Sequence, residues 1–153
     1  MTSIYYGARP GTLEKAKALI AKGDKEGLAA LKSLTKEADK ILDDAPLTVT
    51  DKKVAGPSGD LHDYVSLAPY YWPNPKTKDG LPYIRKDGEV NPESKNPDST
   101  DDTRVLALAR RMKVLGMAYY FTGNEKYGSK AVEQIRVWFL DEKTKMNPHM
   151  KFS

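Results

Sequence analysis

An all-α fold of paired antiparallel helices is predicted by three features of this 153-residue sequence. Apolar residues recur at three- and four-residue spacing in four segments, and cap and stop residues stand at the ends of those segments. Between the second and third segments lies a long stretch too rich in proline to be helical.

The first segment carries Leu13, Ala16, Leu19 and Ile20 at helical spacing, with Thr12 placed to cap it and Gly23 to end it. Asp24 is placed to cap the second, where Leu28, Leu31, Leu34, Ala38, Ile41 and Leu42 form a stripe that stops before Pro46. Together they predict a helical hairpin over residues 12–44. The third segment opens at Ser99 to Asp102, whose hydroxyls and acids suit the positive end of a helix, and continues through Val105, Leu108, Met112, Leu115 and Tyr119 to Gly123. Asn124 then caps a fourth, with Tyr127, Ala131, Ile135, Trp138 and Phe139 on one side. A second hairpin over residues 102–140 follows, turning at Thr122-Gly123-Asn124 and trailed by a tail over residues 141–153. Two similar hairpins in one domain, residues 1–153, predict a solenoid or toroid of helix pairs, although no fixed-period repeat is present.

Residues 45–101 hold eight of the ten prolines, along with Gly56, Gly59, Gly80 and Gly88. A disordered linker is poor in aromatics, yet this stretch carries Tyr64, Tyr70, Tyr71, Trp72 and Tyr83. It is therefore expected to be an ordered, functional loop packed on the helices, with extended pieces at Asp63 to Leu67 and Pro82 to Arg85.

Composition narrows the function. The net charge of +4 comes from Lys and Arg scattered among acids, so no nucleic-acid partner is expected, while an acidic small molecule or polysaccharide suits it. The longest apolar run, within Val114 to Phe121, falls far short of the roughly 20 residues of a membrane span, so no membrane partner is expected. Absence of cysteine removes disulfides and thiolate metal sites. Residues 1–11 lack the pattern of a signal peptide. No glycine-rich phosphate loop, nucleophile elbow or dinucleotide fingerprint occurs.

What remains is chemistry carried by the loop. The densest run is His62-Asp63-Tyr64-Val65-Ser66-Leu67-Ala68-Pro69-Tyr70-Tyr71-Trp72-Pro73-Asn74-Pro75. Flat rings beside rigid prolines make a preorganised face suited to sugar rings, with at least one of Tyr70, Tyr71 and Trp72 expected in the core. Lys86-Asp87-Gly88 reads as a tight turn between two short extended pieces. Arg85, beside Tyr83, has two readings: a clamp on a substrate carboxylate, or a partner of a nearby acid such as Asp63. The histidines are His62 and His149, and neither has metal-ligand spacing. His62 beside Asp63 is a candidate oriented acid or base, and His149, in Met146-Asn147-Pro148-His149, is placed to reach a cleft. Asp60, Asp63, Asp101 and Asp102 leave a hydrolytic carboxylate pair open, although Asp101 and Asp102 are more simply helix-start acids.

The run Ser66-Leu67-Ala68-Pro69-Tyr70-Tyr71-Trp72-Pro73-Asn74-Pro75, then Asp79-Gly80-Leu81-Pro82-Tyr83-Ile84-Arg85-Lys86-Asp87-Gly88 and Asn91-Pro92-Glu93, resembles the alginate lyase superfamily of polysaccharide lyases. So do Ala118-Tyr119-Tyr120-Phe121-Thr122-Gly123-Asn124, Val137-Trp138-Phe139-Leu140-Asp141 and Met146-Asn147-Pro148-His149. The resemblance implies part of a helical (α/α) toroid that cleaves an acidic uronate polymer, such as alginate or glucuronan, by β-elimination without a cofactor or metal. It implies Tyr71 and His149 as proton-transfer candidates and Tyr70, Trp72, Arg85 and Asn147 as substrate contacts, to which His62 and Tyr64 of the same loop are added as candidate contacts. It further implies a secreted or periplasmic setting, and a later Asn-His segment and tyrosine beyond Ser153. Four helices do not close a toroid, so a second copy or a C-terminal half is the expected partner for their apolar faces. Two other readings stay open: a non-catalytic carbohydrate-binding fragment, and a helical interaction module whose Tyr70 to Trp72 rings are buried.

Overall fold

The computed structural model describes residue 9 and residues 11–153. The chain has an all-α fold with helices α1 (Thr12–Ala21), α2 (Lys25–Leu42), α3 (Asp102–Thr122) and α4 (Glu125–Phe139), and a small two-stranded sheet of β1 (Tyr71–Trp72) and β2 (Ile84–Arg85). It divides into two compact units: the chain up to Asp44 with Arg111–Ala131, and Ala45–Arg110 with Val132–Ser153.

In the first unit, α1 ends at Gly23, whose φ of 84° is one that side chains disfavour, so the chain reverses sharply there. Asp24 caps α2 as the sequence predicts, its carboxylate accepting the Gly27 N–H at 2.7 Å. Thr12 does not cap α1. It is the first helical residue, and Gly11 occupies the cap position without any side-chain bond. Ala38 and Ile41 of α2 pack with Val114, Leu115 and Ala118 of α3 and Tyr127 of α4, flanked by Leu34, Leu42, Met112 and Ala131. Tyr119, expected in the α3 stripe, is instead exposed, and its hydroxyl bonds Glu125 at 3.1 Å. Asn124 caps α4 as expected, accepting the Lys126 N–H at 3.2 Å.

The second unit is held differently. Trp138, Gln134 and Val49 are fully buried there, and the Leu47 N–H donates to the Gln134 amide oxygen at 3.4 Å. Ile135 and Phe139, read from α4's spacing as core, are exposed. Asp101 is the hub. Its carboxylate lies 3.0 Å from Lys52 Nζ, both side chains being fully buried, while its other oxygen receives Arg104 at 2.7 Å. Lys52 Nζ also donates to the carbonyls of Val49 at 2.7 Å and Leu61 at 2.8 Å. The Val65 N–H donates to the Asp101 carboxylate at 2.9 Å, and the Asp101 N–H returns to the Val65 carbonyl at 2.8 Å. Buried charge is tolerable only when paired and fully hydrogen-bonded, and here one carboxylate ties the beginning, middle and end of the long loop together.

The sheet pairs Tyr71 with Arg85 and Trp72 with Ile84, antiparallel. The Lys86 turn forms where predicted, with Glu89 N–H donating to the Lys86 carbonyl at 3.3 Å. The strand after that turn does not form; β2 pairs with β1 instead. Of the extended piece expected at Asp63 to Leu67, Val65 makes a single parallel bridge to Phe152.

Candidate functional site

The hairpin of β1 and β2 presents the aromatic face. Asn91 fixes it from behind, donating its amide to the Tyr71 carbonyl at 2.9 Å and its backbone N–H to the Pro69 carbonyl at 2.7 Å. With the backbone pinned, Tyr70 and Tyr71 remain 40% and 41% exposed, and Tyr83, just before β2, is exposed as well. These rings are not buried, which speaks against a pure interaction module. Trp72 is half-buried: its indole N–H donates to the Glu89 carbonyl at 3.0 Å, and the Lys86 ammonium lies 4.9 Å from its ring centroid. Arg85 is exposed and paired with Asp87 at 2.6 Å, two residues along. Asp63 is not its partner.

Asp63 belongs to a second cluster. Its Oδ1 accepts the Asn147 amide at 2.6 Å and lies 3.1 Å from His149 Nε2. The Asn147 amide also donates to Asp60 at 3.0 Å, and the Asn147 N–H to the His62 carbonyl at 2.9 Å. Hydrogen bonds from the Ser58 hydroxyl and then the Asn147 amide hold the Asp63 carboxyl below its ordinary pKa, with smaller help from His149 and Lys151. Asp60 is lowered too, first by the His62 N–H and then by Asn147. His62 Nδ1 lies 2.7 Å from the Lys145 carbonyl. Among the described residues, His149 Nδ1 is buried without a partner, and the His149 ring stands edge-on to Phe152 at 6.1 Å.

Tyr64 departs from the expected set of substrate contacts. It is only 7% exposed, and burial raises its phenol above the ordinary range. At that burial its ring offers little face to a sugar.

Hollows open among the described residues of this unit. One of 520 Å³ is lined by Thr50, Ser58, Asp60, His62 and Lys143 among others. Another, of 450 Å³, is lined by Leu67, Tyr83, Asn91, Glu93, Thr100 and Phe152 among others. The structure thus brings together His62, Asn147 and His149 around Asp63 and Asp60, and separately Tyr70, Tyr71, Trp72 and Arg85 on the hairpin. Spacing held no sign of the Asp63 contacts with residues more than eighty positions away. Lys52 was equally silent, one of two adjacent lysines in a stretch without periodicity. Arg104 had a signal, since it follows Asp101 by three positions on one helical face.

This chain belongs to the alginate lyase family, whose family model matches residues 48–153. It is similar to an alginate lyase from Bacteroides ovatus known from a crystal structure, with 47% identity and a TM-score of 0.76. The similarity covers 92% of this chain and 36% of that one, so the chain spans 36% of that relative's length. None of the curated proteins matches it.

Proposed function

We propose that this chain provides one wall of a polysaccharide lyase acting on an acidic uronate polymer, such as alginate or glucuronan, by β-elimination. The observation that carries this reading is the 47% identity to an alginate lyase over 92% of the chain. The exposed rings of Tyr70 and Tyr71 give it a physical basis, since stacked sugar faces bury apolar area while phenol edges bond hydroxyls.

The reaction removes the C5 proton beside the uronate carboxylate, forms a C4–C5 double bond, and breaks the C4–O4 bond with its electron pair leaving on O4, which then takes a proton. Positive charge beside the carboxylate stabilises the intermediate charge. Within this chain, Tyr71 offers an exposed phenol for proton transfer. Tyr70 and Trp72 offer stacking, and Arg85 a carboxylate contact once it leaves Asp87. His62, Asn147 and His149 form a separate polar cluster around Asp63. A polymeric substrate places such an enzyme outside the cytoplasm, secreted or periplasmic.

Incubation of the chain with alginate and with glucuronan, following the ultraviolet absorbance of the unsaturated product, tests the reading. Absorbance rising with one of these polymers and not with a neutral glucan supports it. Flat traces with every uronate polymer overturn the lyase reading in favour of a non-catalytic carbohydrate-binding fragment.

A further inference from the structure

The two histidines are held by partners of fixed hydrogen-bonding character. His149 Nε2 lies 3.1 Å from the Asp63 carboxylate, and a hydrogen on Nε2 suits that negative neighbour where a lone pair would face it unfavourably. A carbonyl oxygen only accepts, so the 2.7 Å contact between His62 Nδ1 and Lys145 requires the hydrogen on Nδ1. The two environments thus favour opposite tautomers.

We infer that Asp63 is a positioning residue that holds His149 in its Nε2–H form and fixes the Asn147 amide, leaving His62 Nε2 as the imidazole nitrogen open to a ligand. The inference deepens the uronate reading and rests on it for the identity of that ligand.

Asp63 suits the task because it is buried and because one of its oxygens accepts the Asn147 amide and lies 3.1 Å from His149 Nε2. Asp60 takes the Asn147 amide as well, at 3.0 Å, so two acids orient one side chain. His149 has little freedom left. Its N–H donates to the Asn147 carbonyl at 2.8 Å, its Nδ1 is buried, and its ring meets Phe152, whose carbonyl accepts the Ser66 N–H at 2.9 Å. With one ring nitrogen on Asp63 and the other enclosed, His149 acts by anchoring the 147–152 segment. His62 is the converse case. Its ring is half-buried, its Nε2 has no partner among the described residues, and it lines the 520 Å³ hollow with Ser58, Asp60 and Lys143. A lone pair beside a hydroxyl and an ammonium fits the hydroxyls and carboxylate of a sugar acid.

Long-range proton–nitrogen correlation spectra of the full ¹⁵N-labelled chain read both tautomers directly, since the sequence has two histidines and His62→Gln assigns them. At a pH where both rings are neutral, His149 is expected as Nε2–H and His62 as Nδ1–H. Asp63→Ala removes the acceptor and converts His149 to a mixture, whereas Asp63→Asn retains an accepting oxygen and keeps the Nε2–H form. His62 is unchanged in both. A wild-type His149 that is mixed or Nδ1–H overturns the inference, as does a folded Asp63→Ala protein with His149 unchanged. Should Asp63→Ala fail to fold, the wild-type and Asp63→Asn spectra decide. Adding an alginate oligosaccharide is expected to move the His62 Nε2 resonance and leave those of His149 in place. The reverse pattern overturns the assignment of the open nitrogen. If no resonance moves while both tautomers stand as stated, the uronate reading fails and the role of Asp63 survives.

Discussion

The two units of this chain are stabilised by different physics. The first is an apolar core, with Ile41, Leu115, Ala118 and Tyr127 packed together from three helices. The second depends on polar atoms, with Lys52, Asp101 and Arg104 forming a buried charge network that ties one long loop into shape. Apolar contacts are non-directional and tolerate substitution by degrees, whereas a buried charge that loses its partner keeps its full desolvation cost. A surface that must hold rings and a histidine in fixed positions gains from the second kind of support.

That contrast orders the expected effects. The largest is Lys52→Met, which strips the buried Asp101 of one of its two cations and leaves only Arg104. It should destabilise the chain by about 3–5 kcal/mol, measured as a lowered midpoint in urea. A loss under about 1 kcal/mol would show that Arg104 alone neutralises Asp101. Leu115→Ala in the apolar core should cost about 2–5 kcal/mol by the cavity it leaves, in the same assay. A smaller effect is expected from Asp24→Ala, about 1 kcal/mol, because it removes one helix cap on an exposed turn.

Acid should also separate the two kinds of support. Asp63 and Asp60 have folded pKa values lowered from the ordinary 3.8. Such a group binds its proton more readily in the unfolded chain, so its stabilisation is present above 3.8 and is lost as pH falls through the lowered folded value. An acid titration followed by near-ultraviolet circular dichroism is expected to show this loss, diminished in Asp63→Asn. An unchanged acid transition in that variant would remove Asp63 from the account.

The same contrast explains what the sequence disclosed. The helices were legible because Ala38, Ile41 and Leu115 recur at helical spacing, and because Gly23, Asp24 and Asn124 are chemically suited to ends and caps. The misses follow from tertiary context. Tyr119, Ile135 and Phe139 share the helical period with core residues yet lie exposed, since spacing defines a face without fixing how wide the covered stripe is. The aromatic run was visible by composition, but Tyr64 differs from Tyr70 only in where the loop folds. Asp63 meeting Asn147 and His149, and Lys52 meeting Asp101, join positions far apart in the chain, and no local pattern encodes them.

The central claim is that the hairpin carrying Tyr70, Tyr71 and Trp72 is a uronate-binding face. Tryptophan emission tests it most directly, because the chain has two tryptophans and Trp138 is fully buried. Titration with an alginate oligosaccharide should give a saturable change in emission that neutral dextran does not give and that Trp72→Phe abolishes. Emission that stays constant with alginate, or a change that survives Trp72→Phe, would contradict it.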